Sequence, residues 1–163
     1  MEIRKIEPSD TKQFVDFYNK LAEETDYLMF TADEVSDKAD QEEKFIKKYN
    51  DYKQVFIAVD GDEIVGYLGI KRSHLEKLMH RAKFTVGVLE DHQRQGIATK
   101  LIEFAEDWAK EQDVKRLELT VITENEPAIA LFEKTGFEKE GTRKDAVNIN
   151  DDYYDEYFMA KEI

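Results

Sequence analysis

The chain has 163 residues, 41% of them hydrophobic and 12% aromatic, enough for one core and too few for two comfortable domains, so residues 1–163 are read as a single domain. Its 37 acidic and 24 basic residues give a net charge of -13 at pH 7, which argues against nucleic acid as a partner, since that needs a basic face. With no cysteine there is no disulfide, thiolate metal ligand or cysteine nucleophile; with no signal-peptide core and no bilayer-length apolar run, a cytoplasmic protein without a membrane partner is expected.

Ile3 to Ile6 is a short first strand, and Pro8-Ser9-Asp10 punctuates it. Phe14, Phe17, Tyr18 and Leu21 recur at helical spacing and predict an amphipathic helix over residues 11–23. Thr25 to Phe30 is a loop with apolar anchors, and Glu42 to Tyr49 a second helix. Gln54 to Val59 and Glu63 to Ile70 are a hairpin about Asp60-Gly61-Asp62, where glycine supplies a positive φ. A basic island follows, with Lys71, Arg72, Lys77, Arg81 and Lys83 against the single acid Glu76, and with His74 and His80. A solvated loop is the default for such a run, and a site for an anionic group is the alternative.

Residues 82–89 are the next strand, interrupted by Gly87, where a bulge or a close backbone approach is expected. Gln93-Arg94-Gln95-Gly96-Ile97-Ala98 then turns into a helix over 97–111, whose apolar face is Ile97, Leu101, Phe104, Ala105 and Trp108. Arg116 to Ile122 is a buried strand. Asn125 caps a helix with Pro127 in its first turn, ending at Gly136. A long strand from Phe137, a turn at Asn150-Asp151-Asp152 and a last strand over Tyr153 to Ala160 complete a mixed α/β (α+β) order.

The turn after the Phe84–Val88 run is the most informative stretch. A strand, a glycine turn and a helix start present unpaired N–H groups and the positive end of a helix dipole to one point. Gly96 leaves room for a bulky anion, so a diphosphate held by main-chain amides is expected there.

These residues resemble the GNAT superfamily of N-acetyltransferases. The family's coenzyme motif stands here as Gln93, Gly96 and Ala98, with Val88 five positions ahead; its second motif stands as Asn125, Ala128, Leu131-Phe132 and Gly136-Phe137. The resemblance covers essentially the whole chain. It implies a mixed, mostly antiparallel sheet of about seven strands with flanking helices and splayed central strands. It implies acetyl-CoA as co-substrate, with the amides of Arg94, Gln95, Gly96, Ile97, Ala98 and Thr99 on its pyrophosphate. Main-chain groups of Val86 and Val88 would pair with the pantetheine arm almost as an extra strand, Asn125 would contact the same arm, and Phe132 would lie beside the sulfur.

Phe132 departs from the tyrosine many members carry to protonate the thiolate; Tyr153, Tyr154 and Tyr157 are candidates to replace it. The expected reaction is direct transfer to a primary amine, of a small molecule or of a protein or peptide. For the base His80 is the candidate; Glu24 and Tyr27 are candidates to line the acceptor pocket. No metal is expected, and a homodimer is an expectation by analogy alone. Phe132 and the absence of an acid on the 82–88 strand also suit a second reading, a non-catalytic acetyl-CoA-binding sensor or scaffold. A nucleotide-binding α/β protein is a third, and lacks both G-x-G-x-x-G and a lysine-bearing phosphate loop.

Overall fold

The computed structural model describes residues 1–31, 34 and 52–163. Seven strands form one sheet: β1 (Glu2–Lys5), β2 (Lys53–Asp60), β3 (Glu63–Arg72), β4 (Arg81–Val88), β5 (Arg116–Ile122), β6 (Glu138–Ile149) and β7 (Asp152–Glu162). Their spatial order is β1-β2-β3-β4-β5-β7-β6, and every neighbouring pair is antiparallel except β4 with β5. Three helices accompany the sheet among the described residues: α1 (Thr11–Glu24), α2 (Ile97–Glu111) and α3 (Glu126–Lys134). The helix expected over Glu42 to Tyr49 lies outside the described residues.

Strand alternation sorts side chains onto the two faces. Leu68, Phe84, Leu117 and Leu119 pack against Ile97, Leu101, Ala105 and Trp108 of α2. On the opposite face Val55, Ile57 and Tyr67 meet Phe14, Phe17 and Leu21 of α1. Phe104, expected on the buried face of its helix, is 44% exposed; it sits at the stripe's edge, its ring 6.2 Å from that of Phe56. Asn150 and Asp151, at φ 51° and 66°, turn the β6–β7 hairpin as a two-residue loop with both centres left-handed.

The one parallel pair positions the site. β4 and β5 are in register only at Arg81–Arg116, Ala82–Leu117 and Lys83–Glu118. Beyond Lys83 they part, while β4 stays paired with β3 through Val88. The bulge expected at Gly87 is absent, since the β3–β4 register runs unbroken past it. The glycine answers to packing instead: a Cβ there would lie 2.6 Å from Leu21 Cδ2 and 3.0 Å from Tyr67 Cε1, so α1 can sit this close only against a bare backbone.

Candidate active site

The turn into α2 is built by two left-handed residues. Arg94 has φ 60°, and Gly96, the residue before the helix, has φ 80° and ψ 6°. Open space surrounds the point where a Cβ on Gly96 would stand, so its conformation, rather than crowding within the chain, selects glycine. The first amide to bond back into the helix is that of Lys100, to the Gly96 carbonyl at 3.1 Å. Among the described residues the N–H groups of Arg94, Gln95, Gly96, Ile97, Ala98 and Thr99 have no protein acceptor. Six unpaired donors at a helix N-terminus suit a multiply charged oxyanion.

Each predicted residue of the turn contributes differently. Ile97 gives only its amide, since its side chain is buried in the core. The Gln93 side chain donates from Nε2 to the Val88 carbonyl at 3.1 Å, tying the turn to the end of β4. Gln95 Nε2 reaches the Asp91 carbonyl at 3.3 Å.

The opening between β4 and β5 begins where the turn ends. Leu89 donates its N–H to the Val65 carbonyl at 3.0 Å, so odd-numbered residues of β4 direct their main chain to β3. Even-numbered ones face β5. At the closed end the His80 carbonyl accepts from the amides of Lys115 and Arg116 at 2.7 and 3.1 Å. By the same alternation Val86 directs its amide and carbonyl, and Val88 its amide, to the gap, the Val88 carbonyl being taken by Gln93. Phe132 is buried, with its ring 6.1 Å from Phe84 and 6.0 Å from Phe137. Asn125 caps α3, its Oδ1 accepting from the Ala128 amide at 3.4 Å.

A cleft of about 420 Å³ lies on the sheet face opposite α2, where the two strands part. Phe84, Thr85, Leu119 and Thr120 form its floor, and Phe158 and Arg143 wall one side. Three acceptor-side expectations do not meet it. His80 stands at the closed end of β4, roughly 13 Å of extended chain before Phe84, with its side chain exposed. Glu24 uses Oε2 to accept from the Glu90 amide at 2.8 Å, fastening the end of α1 to the turn region. Tyr27 is 37% exposed in a local turn, its amide donating to Thr25 Oγ1 at 3.2 Å, and neither Glu24 nor Tyr27 lines the cleft.

Sequence reasoning missed Glu156. It is 4% exposed, and its Oε1 lies 2.5 Å from Nη1 of Arg143, whose guanidinium stacks 4.7 Å above the Phe158 ring. The signal was present: Glu156, Phe158 and Ala160 fall on one face of β7, with an acid at an inward position. Asp10 is the other buried acid among the described residues, and it belongs to Arg4, far from the gap. Tyr153 is exposed, and the ammonium of Lys139 sits 4.3 Å over the Tyr157 ring.

Residues 14–137 match the family model described as Acetyltransferase (GNAT) family. L-amino acid N-acetyltransferase AaaT of Escherichia coli (strain K12) is 38% identical over 113 residues, 67% of each chain. N-alpha-acetyltransferase of Saccharolobus solfataricus is 30% identical over 133 residues, 72% of this chain and 74% of that one. Among solved structures, an acetyltransferase of GNAT family from Streptococcus pneumoniae superposes at TM-score 0.93 with 28% identity and 99% of each chain covered. The fold is shared with yncA from Salmonella typhimurium, solved with its cofactor acetyl-CoA, at TM-score 0.87 and 18% identity over 99% of this chain and 93% of that one. Matched over most of its length by the family model and end to end by the fold, the chain belongs to the GNAT family and is one of its acetyl-CoA-dependent acetyltransferases.

Proposed function

We propose that the protein moves the acetyl group of acetyl-CoA directly to a primary amine while both are held in one ternary complex. The six unpaired amides from Arg94 to Thr99 carry this reading, because a diphosphate matches their number and charge. The gap-facing main chain of Val86 and Val88 suits an amide-bearing arm, and Phe132, packed on Phe84 of the same strand, and Asn125, the cap of α3, are its proposed further contacts. Bound acetyl-CoA supplies an activated acetyl thioester.

The chain's own residues do the rest. The turn and the gap fix the donor, and the cleft brings the amine to it, so two molecules react as if joined. An alkylamine has a pKa of about 10.4 and must shed a proton before it attacks. We assign that proton to Glu156, reached through a water, because it is the buried carboxylate directly behind the cleft, paired to the lining residue Arg143 and two positions along β7 from the lining residue Phe158. Phe132 has no hydroxyl for the departing sulfur, but a thiol of pKa about 8.5 leaves as its anion at modest cost near neutral pH. No cysteine exists in the chain to hold the acetyl group between two half-reactions. The relatives' names specify L-amino acids in one case and N-alpha positions in another, both α-amines, which supports an α-amine acceptor.

Calorimetry of Gly96→Asp against the wild type tests the reading. Aspartate tolerates the left-handed region better than most residues and would enter open space, so the fold survives with a strain of about 1–2 kcal/mol. Its charge would face the diphosphate, and acetyl-CoA affinity is expected to fall roughly a hundredfold or more. A folded variant that binds the coenzyme as the wild type does removes the phosphate turn from the site.

A further inference from the structure

Three lysines form one rung across the sheet at the foot of the cleft. Lys53 on β2 is in register with Lys71 on β3, and Lys71 with Lys83 on β4. In-register residues of neighbouring strands project to the same face, and all three side chains line the cleft together with Arg143. The described lining contains no acid. Like charges directly opposite one another destabilise a sheet, with Cα atoms only about 5.5 Å apart in a hydrogen-bonded pair.

For Lys71 and Lys83 the described residues offer no relief. Glu118 is in register with Lys83, but its carboxylate already serves Arg116 at 2.9 Å and Arg81 at 3.7 Å. Lys71 and Lys83 have no acidic partner among the described residues. A second recess of about 270 Å³ shares these two lysines and adds Arg72, Arg81 and His74, against the one acid Glu118. All this lies within a protein of net charge -13, so the positive patch is local and stands against the overall field. The coenzyme's phosphates do not account for it. The amides that suit them begin beyond Val88, five residues and roughly 16 Å of strand past Lys83.

We infer that the acceptor is a small amine that also carries an oxyanion, seated over Lys71 and Lys83 with its amine directed to the point where β4 leaves β5. This rests on the acetyl-transfer reading of the same cleft and narrows it. The simplest such molecule is a free amino acid, whose carboxylate lies within a few bonds of its amine. A protein N-terminus has an amide at that place and cannot satisfy the rung. The transfer balances within the pair: the amine nitrogen forms a bond to the acetyl carbon, the carbon–sulfur bond breaks, the amine gives up a proton, and the sulfur leaves with the electron pair as thiolate or thiol.

Thiol release from acetyl-CoA with matched acceptors tests the inference. The twenty L-amino acids are compared with their amides, their decarboxylated amines, aminoalkylphosphonates and short peptides. The best acid is expected to exceed its own amide and decarboxylated form roughly ten- to a hundredfold in kcat/KM. Lys71→Gln and Lys83→Gln are expected to raise KM for the acid and to bring the acid-over-amide ratio close to unity. In the absence of ligand both variants should melt no lower than the wild type, because each relieves a like-charge contact; a structural lysine would melt lower. Preference for a phosphonate over the carboxylate supports the site and identifies the anion. Equal use of acid and amide, preference for a peptide, or lysine variants with unaltered acid preference overturns it. Failure of the wild type to bind acetyl-CoA in calorimetry counts against the transfer reading instead.

Discussion

Replacing Glu156 with glutamine keeps its shape and removes its basicity. If the carboxylate takes the amine's proton, Glu156→Gln lowers kcat by roughly 10²- to 10⁴-fold and leaves KM for acetyl-CoA near its wild-type value. The substitution also weakens the 2.5 Å contact with Arg143, a stability cost of about 1–3 kcal/mol, held down because that guanidinium is 57% exposed and stays hydrated. A stopped-flow or steady-state kcat within about threefold of wild type would move the base elsewhere. His80 and Gly87 show why single residues resist reading from sequence. A histidine just ahead of the central strand looks close to the chemistry, yet which end of β4 pairs with β5 is a fact about Arg116 to Glu118, more than thirty positions away in the chain. A glycine within a strand has several causes, and at Gly87 the cause is Leu21, a residue of another element.

At the level of elements, the joint between β1 and α1 is fastened by one ion pair. Arg4 donates Nη1 and Nη2 to the two carboxylate oxygens of Asp10 at 2.7 and 2.8 Å, and the Glu7 amide adds a third bond at 2.8 Å. The hydrogen bond from Arg4 and that from the Glu7 amide hold the Asp10 carboxyl below its ordinary range, against the opposing effect of burial. A lowered folded-state pKa means the stabilisation is complete above the unfolded value of about 3.9 and disappears as pH falls through the folded value. Urea midpoints should therefore show wild type losing its advantage over Asp10→Asn below about pH 4, an advantage of roughly 1–3 kcal/mol at pH 7. Parallel losses in the two proteins across that range would refute the linkage. The elements themselves were largely legible. The predicted spans of α2 and β5 coincide with the observed ones, because one apolar face and one buried run state their periods without ambiguity. Phe104 shows the limit: the period places it beside the stripe, and only the width of the partner surface decides that it stays 44% exposed.

Across the whole molecule, strand order decides function more than any strand does. The motifs around Gln93 and Asn125 announced the left-handed glycine turn and the capped helix, since glycine and asparagine are chosen there for local reasons. The cleft over the parting strands was not announced. Its lining is assembled from six strands, and the lysine rung exists only because three separate segments share a register. The basic island hinted at it without showing that Lys53, from another hairpin arm, completes the row.

The parting of β4 from β5 has a consequence in time as well as in space. Amides at the centre of a seven-stranded sheet ordinarily exchange with solvent only when the protein opens, but those of Val86 and Val88 have no partner strand among the described residues to shield them. They should therefore take up deuterium far sooner than the amide of Leu89, which is locked to Val65, and should slow by at least about tenfold once acetyl-CoA fills the gap. Slow labelling of both valines in the ligand-free protein would mean that the seam is already sealed. Fast labelling that the coenzyme quenches would make these two positions an internal clock for how long the donor stays in place.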